Sequence, residues 1–293
     1  MKTRTTFILL LTAIITLAAG SAFGVYSGGT GEPNDPYQIA DANDLLDLAA
    51  TTTDYNRCFI LTADVNLEGQ VFATAIIAAD TSPSWDFQGT AFTGTFDGNG
   101  HRITNFAIDG GSNDYLGLFG YVDSRGSSVK NLGLENCAVS GVSDSYHVGG
   151  LVGSTDYGSI SDCYSTGTVS GYDGVGGLVG YSLYGSIINC YSTGAASGSG
   201  SSNSVGGLVG SNSGIISNCY STGAVSGSDH LYISRVGGLV GSNSSIISNC
   251  YSTGAVNVSG SSGSQDVGGL VGSNGLNISQ CYSTGAVTGS SGS

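Results

Sequence analysis

Basic residues are scarce in this 293-residue chain: seven Lys and Arg stand against 21 Asp and Glu. Nucleic acid and anionic membrane surfaces both call for a positive face, so neither is an expected partner. Proline is nearly missing. Pro33, Pro36 and Pro83 are its three occurrences, and the chain beyond them has none, as strands hydrogen-bonded along both edges require. Long apolar runs are lacking everywhere but the N-terminus. There Lys2 and Arg4 precede an uncharged apolar stretch at 7–19, followed by Gly20, Ala22 and Gly24. That three-part form predicts a cleaved secretory signal over 1–24, too short to span a bilayer comfortably. The mature chain is therefore expected to be exported, to have no membrane span, and to retain five basic residues against 21 acidic ones. No sorting motif or hydrophobic tail closes the sequence, so either any surface attachment is expected to be indirect or the chain is incomplete.

What the chain does contain is glycine, 50 residues of it, and a repeat. The phrase V-G-G-L-V-G stands at 148–153, 175–180, 205–210, 236–241 and 267–272. It alternates with I-x-(N/D/Q)-C-Y-S-T-G, which starts at Ile160, Ile187, Ile216, Ile247 and Ile278. Spacings of 27 to 31 residues between those isoleucines mark an array of one supersecondary unit. The apolar residues are largely β-branched and are punctuated by Gly and Ser, with no sustained 3.6-residue period. Short strands of this kind bury their apolar face by stacking coil upon coil, about 4.8 Å apart. The predicted fold is an all-β parallel β-helix.

Stacking turns each repeated position into a column. An inward column is expected at Ile103, Val129, Ile160, Ile187, Ile216, Ile247 and Ile278. Two residues on, Asn105, Asn131, Asp162, Asn189, Asn218, Asn249 and Gln280 read as a polar turn ladder. The next position, Phe106, Leu132, Cys163, Cys190, Cys219, Cys250 and Cys281, exchanges Phe and Leu for Cys and so reads as internal packing. That makes the cysteines buried free thiols rather than a disulfide framework, because parallel Cβ vectors suit a bond poorly. Cys137 fits no column and Cys58 lies upstream. In G-L-V-G, neighbouring Leu and Val cannot both face inward on a regular strand. Either a bulge re-aims one of them or one packs outside.

Residues 25–102 differ. The stretch 41–50 opens with capping residues and spaces its leucines as a short amphipathic helix. Residues 58–61 and 63–67 read as strands. Since a repeat array needs a shielded end, this segment is expected to be an N-terminal cap with the first coils, ahead of the repeats at 103–293. Fifteen of the 21 acidic residues lie before position 140.

These phrases resemble the GLUG-repeat family of bacterial exported proteins, as do G-E-P-N-D-P-Y-Q-I at 31–39 and F-T-G-T-F-D-G-N-G-H at 92–101. The resemblance covers residues 30 to 288. It implies a right-handed β-helix in an extracellular or cell-surface, adhesin-like setting, and it implies no catalytic residues. Some members of the family carry a metalloprotease domain, but H-E-x-x-H does not occur here.

The residues point the same way. A carbohydrate-active β-helix enzyme, of lyase or hydrolase type, is the rival reading. It would need carboxylates converging on one face, and Asp144, Asp156, Asp162, Asp173, Asp229 and Asp266 share no slot. Asp86, Asp97 and His101 are the leftover candidates, with Asp97 to Gly100 more simply a tight turn. His101, His147 and His230 have no metal-ligand spacing, and Asp41 and Asp44 are better explained as helix caps. No metal, cofactor or catalytic residue is therefore expected. The candidate ligand surface is an outward stripe of Tyr164, Tyr191, Tyr220, Tyr251 and Tyr282, beside Thr166, Thr193, Thr222, Thr253 and Thr284. Evenly spaced rings could meet an extracellular glycan or protein, or could simply stabilise the sheet as cross-strand pairs.

Overall fold

A computed structural model describes residues 25–82, 86–142, 144–199, 204–229, 234–260 and 265–289. The predicted signal at 1–24 and His230 lie outside them. The chain is a parallel β-solenoid of about six turns, with one short α-helix among the described residues, α1 (Ala42–Ala50). The strands form four sheets along the stack; two begin in the first coils, a six-stranded one begins at Phe119 and a five-stranded one at Tyr146, and neighbouring strands pair in parallel.

The nine-stranded sheet carries the inward isoleucines. Val129, Ile160, Ile187, Ile216, Ile247 and Ile278 stand in register one coil apart. Those from Val129 to Ile247 are fully buried. Below Val129 the column continues through Phe96 and Phe59, not Ile103. The strand Arg102–Asp109 belongs instead to the neighbouring sheet, paired with Val65–Phe72 and Gly133–Ser140. Ile103 therefore stands under Leu134, Asn105 opposite Asn136, and Phe106 under Cys137. The misreading has a physical source. The coil that follows turns two corners with an Asn in the left-handed region, Asn131 and Asn136, so apolar-x-Asn-apolar occurs twice in it, at 129–132 and 134–137, and Ile103 to Phe106 stands under the second copy. Cys137, expected to fit no column, is buried on Phe106.

The corner ladder itself is present. Asn131, Asp162, Asn189, Asn218, Asn249 and Gln280 all have φ between 53° and 56°, a region Asn and Asp tolerate better than most residues. The Asn131 side chain donates to Asp97 at 2.9 Å, Asn189 to Asp162 at 3.0 Å and Asn218 to Asn189 at 3.2 Å.

The Leu-Val question resolves as a bulge at a corner. The amides of Leu178 and Val179 both donate to the Leu208 carbonyl at 3.0 Å, and those of Leu208 and Val209 both donate to Leu239 at 2.9 and 3.1 Å. Two successive amides on one carbonyl bend the chain between strands, so both side chains turn inward and both are fully buried. The glycines of the phrase are steric necessities. A Cβ on Gly176 would stand 2.0 Å from the Val179 carbonyl oxygen, and one on Gly180 2.5 Å from that of Gly153. Backbone packs on backbone there, which explains why two Gly flank Leu-Val in each full copy.

At the N-terminal end α1 covers the stack. Asp41 caps it by accepting from the amides of Asn43 and Asp44 at 2.8 and 3.2 Å, while Asp44 reaches back to accept from Ala40 at 2.8 Å. Leu45 and Leu48 are fully buried. They join an aromatic pile in which Tyr26, Tyr37, Phe59, Phe92 and Phe119 touch in sequence. No helix among the described residues is long and apolar enough to cross a membrane.

Candidate functional site

The thirteen-stranded sheet presents the outward stripe. Its long strand Gly133–Ser140 continues in the next coil as two short ones, Tyr164–Ser165 and Thr168–Gly171. In the dipeptide Tyr-Ser the serine points in: Ser165, Ser192, Ser221 and Ser252 are fully buried. The tyrosine on the other face points out. The structure brings all five together. Ring centroids from Tyr164 through Tyr191, Tyr220 and Tyr251 to Tyr282 lie 4.9, 4.8, 4.9 and 5.2 Å apart, with interplanar angles of 2° to 4°. Each ring therefore spends its faces on its neighbours. What the stripe shows to solvent is ring edges and hydroxyls, with the Thr column exposed beside it.

One end of the column is anchored. Gly133 leaves room below Tyr164, since a Cβ there would stand 2.4 Å from the phenol Cζ. The Tyr164 hydroxyl donates to Glu135 Oε1 at 2.8 Å. Arg102 holds the other Glu135 oxygen at 3.2 Å and Asp64 at 2.9 Å, and His101 meets Asp64 at 3.2 Å. Burial, reinforced by the Glu135 carboxylate, pushes Tyr164 up to about 12. Burial also raises Tyr191 and Tyr220.

Asp97, Asp86 and His101 do not assemble into one centre. Asp97 pairs with Lys130 at 3.3 Å and accepts from Asn131 and the Asn99 amide. Those bonds outweigh its partial burial and hold it below the usual carboxylate range. His101 belongs to the Asp64 group, and Asp86 lies near Tyr115 with Asp80 and Asp114. Asp114 is buried and pushed up to about 6 by that burial, with Asp80 and Asp144 adding to the effect. His147 stacks on Tyr181 at 5.0 Å, and burial lowers it to about 4. Among the described residues no three of His, Cys, Asp and Glu are grouped to hold a metal ion.

The cysteines are free thiols, and Cys163, Cys190, Cys219 and Cys250 are buried behind the tyrosines. The Cys219 Sγ donates to the Ile187 carbonyl of the coil before at 3.5 Å. Thiol-to-thiol hydrogen bonding and burial push Cys219 and Cys250 well up.

Two columns escaped the sequence reading. Asn212, Asn243 and Asn274 form a ladder inside the coil, with Asn212 donating to Asn243 at 2.8 Å and Asn243 to Asn274 at 2.7 Å. The recurring G-S-N of 210–212, 241–243 and 272–274 was its signal. A shallow groove also runs along the stack beside the tyrosine face, lined by Ser170, Ser197, Ser226, Asn257 and Thr288 at one residue per coil.

With this geometry in view, the relatives fall into place. The GLUG motif matches at residues 144–170, 171–197, 201–226, 233–258 and 263–288. The chain is a GLUG-repeat protein. Each match takes in one Val-Gly-Gly-Leu-Val-Gly phrase and the Cys-Tyr-Ser-Thr-Gly turn that follows it. Halomucin of Haloquadratum walsbyi is 34% identical over 160 residues, 52% of this chain. A protein of Evansella cellulosilytica provisionally named a Gly-rich membrane protein is 34% identical over 158 residues, 53% of the chain. The chain matches only 2% and 17% of the length of those two relatives. A crystal structure from Bacteroides ovatus, provisionally titled an immunoglobulin A1 protease, superposes with a TM-score of 0.70 at 24% identity. It covers 91% of this chain and 80% of that one. At that identity the likeness concerns the fold.

Proposed function

We propose that this GLUG array is an exported, surface-displayed β-helix with a structural and adhesive role, and that it is not an enzyme. One observation carries the reading. The outward Tyr-Thr face repeats once per coil without interruption over five coils, and the polar groove beside it, lined by four hydroxyl residues and Asn257, keeps the same period. A surface of that kind suits a polymer with its own repeat, such as an extracellular glycan, or an extended protein partner. Because the ring faces are occupied, contact would run through phenol and threonine hydroxyls and ring edges rather than through stacking on a sugar. The surface setting is supported by the signal-like N-terminus and by the company of halomucin and a membrane protein. The non-enzymatic part is supported by the dispersal of Asp86, Asp97 and His101 into separate bonded groups.

The test is a glycan-array screen of the protein from residue 25 onward, repeated with Thr193, Thr222 and Thr253 all changed to Lys. Binding in the first case and its loss in the second is expected. Binding that survives the triple change would move the contact surface elsewhere. A glycan cleaved during the assay would replace the adhesive reading with the enzymatic one.

A further inference from the structure

The tyrosine column has a chemical asymmetry that ligand binding does not use. Five phenols are in continuous ring contact, with no centroid step above 5.2 Å. At one end Tyr282 is 56% exposed. At the other, the Tyr164 hydroxyl already donates to a carboxylate, Glu135, at 2.8 Å, and Arg102 fixes that carboxylate in place. Among the described residues no side chain accepts from the hydroxyls of Tyr191, Tyr220, Tyr251 or Tyr282. A phenol that loses an electron becomes a strong acid and must shed its proton. The one with a preorganised carboxylate acceptor does so without reorganising solvent. Tyr164 is thus the place in the column where an oxidised ring is most stable.

We propose that the column is a one-electron relay, in which oxidation anywhere along the tyrosine stack comes to rest at Tyr164. The co-reactant is an outer-sphere one-electron oxidant arriving from solvent. It is reduced by one electron, and the exposed ring it meets, Tyr282 for instance, releases its phenolic proton to water and becomes a neutral radical. That ring regains an electron from its neighbour and a proton from water, while the neighbour loses both. The same exchange repeats ring by ring. In the last step Tyr191 takes an electron from Tyr164 and a proton from water, the Tyr164 proton passes to Glu135 Oε1, and a neutral radical remains hydrogen-bonded to a neutral carboxyl group. In total one electron has passed to the oxidant and one proton has moved from Tyr164 to Glu135, with no net proton released to water. The relay lies on the opposite face of the strand from the buried thiols of Cys163, Cys190, Cys219 and Cys250, so it would draw oxidising equivalents away from the core.

The experiment uses the protein from residue 25 onward and photogenerated tris(bipyridyl)ruthenium(III) as oxidant. High-field EPR on frozen samples is followed by nitroso spin trapping and peptide mapping of the adducts. In the wild type the radical should show the g-anisotropy of a hydrogen-bonded tyrosyl, and adducts at Tyr164 should exceed those at Tyr282 several-fold. Glu135→Gln should abolish that excess. Tyr220→Phe keeps a ring in the stack but removes the redox-active phenol, and should trap adducts on Tyr251 and Tyr282 while Glu135 is intact. Adduct yields that simply follow solvent exposure in the wild type would overturn the relay. So would a Tyr220→Phe protein whose adduct pattern is unchanged.

Discussion

Gly177 and Ser192 face each other across the inside of a coil so closely that a Cβ on Gly177 would stand 2.2 Å from the Ser192 Oγ and 2.3 Å from the Gly207 carbonyl oxygen. The small residues of both repeat phrases are thus parts of one contact. Gly177→Ala should be destabilising by about 1–3 kcal/mol, as overpacking is in well-filled cores, because backbone blocks the new methyl from one side. Ser192→Ala should act oppositely. The Ser192 hydroxyl is fully buried and has no partner among the described residues, so its removal should raise stability by about 1 kcal/mol. Chemical denaturation of the two variants checks both signs, and a Ser192→Ala protein less stable than wild type would show that the hydroxyl is satisfied after all.

The cysteine column is expected to behave as packing. Cys219 lies in the slot that Leu132 fills three coils earlier, both buried, so Cys219→Val should cost less than about 1.5 kcal/mol as a near volume-conserving change. Cys219→Asp should prevent folding, since a carboxylate would be forced among apolar neighbours. The thiols also predict an alkaline limit. Their folded pKa values are raised, so the stability they contribute is present below the unfolded thiol pKa and falls as pH rises above it, from about pH 9. A melting temperature that holds steady from pH 8 to 10.5 would contradict this.

How much of this was legible beforehand depends on whether a feature repeats. The columns from Ile160 to Ile278 and from Tyr164 to Tyr282 were written in the periodicity, and so was α1 through its Asp41 cap and paired leucines. Upstream, where copies diverge, periodicity misled: Ile103, Asn105 and Phe106 imitate one corner while sitting at another, and Phe96 holds the slot assigned to Ile103. The tyrosine positions were readable but their ring orientation was not. Nothing in a one-dimensional pattern tells whether stacked rings turn their faces to solvent or to each other. The Asn212–Asn243–Asn274 ladder was missed because an Asn beside a Ser-rich turn reads as solvent-exposed, whereas here the carboxamides bond along the axis and satisfy one another inside the coil.

Asp114 supplies a pH dependence of the same sign at lower pH. Its carboxyl is buried and titrates at about 6 when folded, against about 4 in an unfolded chain. The sign follows from the raised value: its contribution to stability is fully present below the unfolded pKa and is lost as pH rises through 6. Above that pH the buried charge costs on the order of 2–3 kcal/mol. Asp114→Asn should therefore stabilise the protein at pH 7.5 and leave it unchanged at pH 4, with the Tyr146 amide still able to donate to the new side-chain oxygen. Equal stability differences at both pH values would mean that Asp114 is not the titrating group.

Removal of a whole coil tests the one-dimensional character of the fold. Val205 and Gly206 stand in register with Val236 and Gly237, and Ile216 with Ile247, Tyr220 with Tyr251 and Val225 with Val256. Deleting residues 206–236 therefore joins Val205 to Gly237 without displacing any column. Each coil touches only its neighbours, so the shortened chain should fold and lose little more than one interface's worth of stability. The tyrosine stack should close up, with Tyr191 now meeting Tyr251 at the spacing it had with Tyr220. Circular dichroism should retain the β spectrum and thermal unfolding should remain a single transition. Deleting 206–221 instead removes half a coil, brings Thr222 against the slot of a Gly-Gly-Leu corner and shifts every later strand to the wrong sheet. That variant should aggregate. If both deletions fold equally well, register between coils is not what specifies this structure.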